Sequence, residues 1–274
     1  MRTLWEVVVL LVRIKLAELD VAERTRIWWC PTSELCGLPL HAAGPYSQKQ
    51  KNFPDIYVSS YTPSLSALIS ARAGKAGART IPKMLVIGQP DATLPQVNNE
   101  ISIIREFHSS LTILSGEDAT PEAVLSSLSN HSWAHFACHG IQDPKPYKSK
   151  FILHNNEHVT LLEMLKARLP DAEFAFLSAC NSAAGDIHGT PDEIIHLAAA
   201  LQFCGFRSVV GTLWAMGDLD APNMARDFYK YMFRRPESTL DFRDSAIALN
   251  RAIRQMRGRG VPVDRWINFV HIGA

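Results

Sequence analysis

From residue 83 onward the chain alternates strand-like and helix-like segments, and few architectures accommodate that alternation. KMLVIG (83–88) is apolar and β-branched, a helical pattern covers 96–108, and LTILSG (111–116) is again extended. TPEAVLSSL (120–128) has the form of a helix with Thr120 as N-cap and Pro121 in its first turn. WAHFAC (133–138) is the next strand. A polar loop containing Pro and Lys (141–150) leads to FILH (151–154), then to a helix near Thr160 with Glu163 at capping-box spacing, then to strand FAFLSA (174–179). An apolar helix over 191–204, strand SVVGTLW (208–214), helices over 219–233 and 241–257 and a final strand INFVHI (267–272) complete the series. Strands separated by helices pair in parallel through crossovers and bury both faces, so the expectation is a mostly parallel sheet covered on both sides.

The first part is less regular. In segment 4–20, Leu4, Val7, Val8, Leu11, Ile14, Leu16 and Leu19 recur at three- and four-residue steps, which predicts an amphipathic helix packing those residues on the sheet. RIWWC (26–30) and IYVSS (56–60) are strand-like, SLSALISARA (64–73) is helical, and GKAGART (74–80) is a Gly and Ala rich flexible connection. No repeat of 20 to 50 residues is visible.

Charge and cysteine usage narrow the function classes. With 28 Lys plus Arg against 27 Asp plus Glu, the net charge of +1 leaves no footprint for a phosphate backbone, which argues against nucleic acid as partner. Five cysteines without a CxxC pair write neither a disulfide framework nor a zinc ribbon, and they suit a reducing compartment. The opening MRTLWEVVVLLVR is interrupted by Glu6 and lacks a cleavage site, and no stretch reaches the roughly 18 apolar residues of a membrane span. The expectation is a cytoplasmic protein that does not bind membranes.

Open parallel sheets bind ligands beyond the carboxyl ends of their strands, which directs attention to HFACHG and FLSACNSAAG. If those two strands lie side by side, Cys180 and His139 come within reach as nucleophile and base. Gly140 lets the backbone approach a substrate carbonyl, so its N–H and that of Cys180 form a candidate oxyanion hole. The alternative is structural, since buried cysteines are mostly inert packing and strand-end histidines often satisfy local hydrogen bonds. His131, His135 and His139 are spaced by four, but on a strand rather than a helix, so no metal site is expected. His41 and His196 are expected to be packing residues, His188 to be exposed, and Cys30, Cys36 and Cys204 to be buried fillers. RQMRGRG (254–260) is expected to be a solvated helix end, and GQPDATLP lacks the glycine pattern of a nucleotide loop.

ACHG, LSACNSAAG, DEIIHLAAALQFCGFRSVVGTLWAMGDLDA and WINFVHIG, in that order, resemble the CHAT domain, a caspase-like and separase-like branch of the cysteine peptidase clan. In the first half RIWWCPTSELCGLPLHAAG, YTPSLSAL and VIGQPDATLPQVNNEI resemble that family's landmarks, so the likeness runs from Trp5 to Gly273. The resemblance implies a caspase-like three-layer α/β/α sandwich with a mostly parallel central sheet. It implies a single domain over 1–274, with 1–80 as an N-terminal lobe and 81–274 carrying the catalytic core. It implies a cysteine endopeptidase cleaving a protein or peptide substrate with a His139 and Cys180 dyad, and no metal or organic cofactor. By resemblance to separases, Asp218, with Asp220 close by, matches the acid that recognises a basic P1 side chain; an N-cap for the helix starting near Leu219 is the structural alternative. Asn181 and Ser182 depart from the Glu and Thr of many relatives. Because CHAT domains often follow helical repeats or a nucleotide-binding sensor, such an upstream domain or partner is expected to relieve a latent state. The rival readings are a non-catalytic caspase-fold module for interaction and signalling, and a flavodoxin-like binding domain.

Overall fold

The computed structural model describes residues 1–73, 81–91, 93–108, 110–178, 197–214 and 216–274. The chain opens as a short helix α1 (Arg2–Leu4), passes through a π-helical turn (Trp5–Val9) and continues as α2 (Leu10–Glu18). Its buried side chains are Trp5 and Val9; of the expected face, Leu4, Val8 and Leu16 are half-buried against the core, whereas Val7 (66% exposed), Leu11 (63%), Ile14 and Leu19 face outward. The run VVVLLV is apolar on every side, so spacing alone selects no face, and the π turn adds a residue that shifts the phase of the following turns.

Next come β1 (Arg26–Trp29), α3 (Phe53–Ile56), β2 (Val58–Tyr61) and α4 (Leu65–Arg72). GKAGART lies outside the described residues. Strand β3 (Met84–Gly88) leads to α5 (Val97–Phe107), β4 (Leu111–Ser115), α6 (Pro121–Leu128) and β5 (Trp133–Ala137). Thr120 caps α6 as its sequence predicts, Oγ1 accepting from the Ala123 N–H at 3.2 Å. Three short strands follow, β6 (His139–Ile141), β7 (Lys150–Ile152) and β8 (His158–Thr160), and then α7 (Leu161–Ala167). The α7 capping box is complete: Thr160 Oγ1 accepts from Glu163 N, and Glu163 Oε2 accepts from Thr160 N at 2.8 Å. The remaining elements are β9 (Phe174–Leu177), α8 (Leu197–Phe203), β10 (Ser208–Thr212), α9 (Ala221–Met232), α10 (Ser245–Gly258), α11 (Val263–Trp266) and β11 (Phe269–Gly273).

Eight strands pair in the order β1-β2-β11-β10-β9-β5-β3-β4. Every adjacent pair is parallel except β10 with β11. The sheet therefore consists of five strands running one way (β10, β9, β5, β3, β4) and three running the other (β11, β2, β1). Period-two alternation sends side chains into two cores. Ala134 and Phe136 of β5, with Ala175 and Leu177 of β9, join the core beneath α6, α7 and α8. Trp133 and Ala137, with Phe174 and Phe176, join the core beneath α5, α9 and α10. The result is the three-layer α/β/α sandwich with a mostly parallel central sheet. Strands β6, β7 and β8 form a separate antiparallel sheet; three-residue strands are too short to show a periodic pattern in the sequence.

One glycine sets the approach of α5. A Cβ on Gly88 would lie 2.6 Å from Ile101 Cδ1, so α5 packs directly against the end of β3 and its N-terminus overhangs the strand ends. RQMRGRG is more engaged than a solvated helix end, because Arg257 is bidentate on Asp55 (2.7 and 3.1 Å) and Arg259 reaches Asp227 at 2.6 Å. His41 is buried against Tyr61 as expected. Of the expected cysteine fillers only Cys204 is buried; Cys36 is half-buried and Cys30, one residue past β1, is exposed.

Candidate active site

Strand β5 ends at Ala137, Cys138 is buried, and at His139 the backbone leaves the main sheet to pair with β7, His139 lying opposite Ile152. The imidazole thus stands where the two sheets diverge, with 21% of the side chain exposed. Its Nε2 is 2.7 Å from Thr93 Oγ1 and 3.3 Å from Asp91 Oδ2. Its Nδ1 is buried and has no hydrogen-bond partner among the described residues.

Asp91 and Thr93 belong to the loop after β3, the strand beside β5. Asp91 Oδ1 accepts from Thr93 N (2.7 Å), Thr93 Oγ1 (2.6 Å) and Leu94 N (2.9 Å), which locks a tight turn ahead of α5. Burial alone would raise the Asp91 carboxyl, but the Thr93 and Leu94 hydrogen bonds and the nearby His139 hold it below its ordinary value. Neither residue is among the sequence candidates, which follow the ends of β5, β9 and β10. The available signal was the strand-end rule applied to β3 as well as β5, together with an Asp followed two residues later by Thr.

The condition on the two candidate strands is met: β5 and β9 are neighbours, parallel and in register, with Trp133 opposite Phe174 and Phe136 opposite Leu177. Ser178 N donates to Phe136 O at 2.9 Å, continuing the ladder to the end of β9. Cys180 follows Ser178 by two residues in the sequence; it lies outside the described residues, as do Asn181, Ser182, His188 and His196. Gly140 is buried in β6 opposite Phe151.

The two acidic candidates have different surroundings. Asp218 reaches across to α5, its Oδ2 accepting from Gln96 N at 3.0 Å, and so caps that helix rather than the one that follows it. Burial, with the charges of Glu100 and Asp91, pushes its carboxyl above the ordinary value, against the pull of the Gln96 N–H and of His139. Asp218 therefore shares an electrostatic neighbourhood with His139 and Asp91. Asp220 is buried and both its oxygens accept from Arg265, at 2.6 and 2.7 Å, which ties α11 to the start of α9.

The three histidines spaced by four have separate partners. His131 bonds Ser127 O and Thr112 Oγ1, and His135 is buried between Tyr229 Oη (2.9 Å) and Glu100 Oε1 (3.2 Å). Among the described residues no group of three His, Cys, Asp or Glu is placed to hold a metal ion, and no helix is long and apolar enough to cross a membrane.

A five-strand parallel block, helices on both faces and a small antiparallel sheet branching off at a strand-end histidine define the class as caspase-like. The separase of the Saccharomyces cerevisiae separase–securin complex matches it with a TM-score of 0.59 and 17% identity, over 90% of this chain and 15% of that one. The Arg specific cysteine proteinase gingipain R matches with a TM-score of 0.56 and 8% identity, over 88% of this chain and 58% of that one. In the complex of Porphyromonas gingivalis RgpB pro- and mature domains the TM-score is 0.59 at 9% identity, over 97% of this chain and 67% of that one. These likenesses are of fold, and the chain spans only 15% of the separase and 58% of the gingipain R chain. Sequence is more specific: the CHAT domain family matches residues 1–274, and the chain belongs to that family. Comparison with curated protein sequences gave no match.

Proposed function

We propose that the chain is a cysteine endopeptidase in which Cys180 attacks the scissile carbonyl of a protein substrate. The observation that carries this reading is the placement of His139 at the end of β5, beside the parallel strand that leads to Cys180, with a buried Nδ1 that no described residue engages. His139 takes the thiol proton and returns it to the leaving amine, and the N–H groups of Gly140 and Cys180 hold the oxyanion. Asp218 recognises a basic P1 side chain. Its negative neighbours Asp91 and Glu100 favour a cation there, and one of the similar structures is of an Arg specific proteinase. Asp220, committed to Arg265, supports the Asp218 loop. A latent state relieved by an upstream repeat domain, a nucleotide-binding sensor domain or a partner completes the proposal.

The test is cleavage of a peptide library varied at P1 by the wild-type chain and by Cys180→Ala. Cleavage after Arg or Lys that is lost in the variant is the expected result; Cys180-dependent cleavage after other residues removes Asp218 from the scheme. If neither protein cleaves, iodoacetamide separates latency from a non-catalytic interaction module. In a latent peptidase Cys180 is alkylated before the exposed Cys30 below neutral pH, while Cys138 and Cys204, pushed up to about 12 by burial, stay unmodified. A non-catalytic module shows no preference for Cys180.

A further inference from the structure

We infer that Asp91 and Thr93 fix the tautomer of His139, placing its proton on Nε2 and leaving Nδ1 as the basic nitrogen. The effect on rate rests on the peptidase reading above; the tautomer does not.

The assignment follows from counting protons. Thr93 Oγ1 lies 2.6 Å from Asp91 Oδ1, an oxygen that also accepts from the N–H groups of Thr93 and Leu94. A carboxylate oxygen has no proton to give, so at that distance the hydroxyl must donate its single proton to Asp91. Only lone pairs remain on Oγ1 for its 2.7 Å contact with His139 Nε2. The second neighbour of Nε2, Asp91 Oδ2 at 3.3 Å, is likewise an acceptor. Two acceptors facing one ring nitrogen require that nitrogen to carry the hydrogen. A neutral imidazole has one N–H, and Nδ1 therefore keeps its lone pair. That lone pair is shielded from solvent and unmatched by any described residue, so its direction is set without being consumed.

Asp91 is thus a positioning residue. Its Oδ1 is held by three donors of its own turn, and its Oδ2 is presented to the ring. When Nδ1 takes a proton, both nitrogens become donors, and Asp91 supplies the negative charge that faces the resulting imidazolium.

The experiment uses the full chain labelled with 15N-histidine and a long-range 1H–15N correlation at pH 8, with the His139 signals assigned by their loss in His139→Gln. Wild type is expected to show protonated Nε2 and unprotonated Nδ1. Asp91→Asn is the chosen variant because its Oδ1 can keep the three donors of the turn while Nδ2 turns a donor toward Nε2. With a donor now opposing the Thr93 Oγ1 acceptor at Nε2, the tautomer should shift toward a proton on Nδ1, and in peptide cleavage kcat should fall by roughly 100-fold or more at nearly constant KM. Thr93→Val, which removes one of the two acceptors and leaves the carboxylate, should give a mixture of tautomers. A wild-type proton on Nδ1, or a tautomer unmoved by Asp91→Asn, overturns the inference. Because the nuclear resonance readout needs no turnover, a chain that neither cleaves peptides nor shows preferential alkylation of Cys180 would sink the peptidase proposal while the tautomer still decides this one.

Discussion

His271, in the middle of β11, and His139, at the end of β5, have their hydrogen on the same ring nitrogen for different reasons. At His271 the Nδ1 lone pair accepts from Arg26 Nη2 at 3.1 Å, and Nε2 meets Ser208 Oγ and Ser245 Oγ, each at 2.8 Å. Arg26 is itself held by Ser60 Oγ and Gly273 O and lies over the Trp28 ring. Every polar atom of the His271 ring is matched, and the imidazole acts as a fastener between strand blocks. At His139 one nitrogen is matched twice and the other is left over. Buried ring nitrogens without a hydrogen-bond partner among the described residues also occur at His41, His108 and His135, so what sets His139 apart is an unmatched nitrogen on a part-exposed ring at a strand end.

Exchanging the two histidines for alanine tests that contrast with the largest effects. His139→Ala should reduce Cys180-dependent cleavage about 10³-fold or more while leaving the thermal midpoint within roughly 2 °C. His271→Ala should instead remove about 3 kcal/mol from the free energy of unfolding, because Arg26 loses its partner inside the fold. Equal stability of the two variants in denaturant titrations would break the comparison.

The pH dependence sharpens it. Burial depresses His41 to about 4, and burial with the Arg26 charge takes His271 well below its ordinary value, so both rings are neutral in the folded protein. In the unfolded chain they protonate near 6.5. The stability tied to them is therefore complete above about pH 6.5 and is lost as pH falls below it, for His41 down to its folded value of about 4. For His41 the difference amounts to about 3 kcal/mol. Urea unfolding at pH 7 and pH 4.5 should show this loss, and His41→Gln should flatten the slope.

Arg26→Met retains the apolar stem against Trp28 and removes the donor to His271 and Gly273. It should destabilise by about 2 kcal/mol without altering peptide cleavage, as followed by paired unfolding and kinetic measurements. The smallest effect is expected at Asp220. Asp220→Asn weakens the partly exposed pair with Arg265 and should cost about 1 kcal/mol with P1 preference unchanged, whereas Asp218→Asn should lose preference for basic P1 residues. A library profile that shifts in Asp220→Asn would return that residue to the recognition site.

The parts legible in the sequence were those fixed by neighbours along the chain. Thr120 and the Thr160 and Glu163 box mark helix starts with side chains a few residues apart, and the adjacency of β5 and β9 follows from a crossover of ordinary length. The position of His139 just past the end of β5 was legible in the same way. What stayed hidden depends on partners remote in sequence. Asp91 acquires its role from a ring 48 residues later, Asp220 from Arg265, and Asp218 from an N–H 122 residues earlier. The N-terminal helix was recognised but its buried face only in part, since an apolar run offers several equivalent faces and only the sheet it meets decides among them.

The insertion of β11 between β2 and β10 bears on how the chain is made. That strand, last in chain order among the described ones, joins the five-strand block to the oppositely running pair formed by β1 and β2. A ribosome delivers residues in order, so the segments needed for β1 and β2 emerge more than 200 residues before the strand that connects them to the rest of the sheet. Until residue 273 has cleared the exit tunnel, β2 has an open edge where β11 belongs. Among the described strands the keystone is therefore made last, and a nascent chain stalled at residue 260 should remain sensitive to protease where a chain with β11 clear of the tunnel is not.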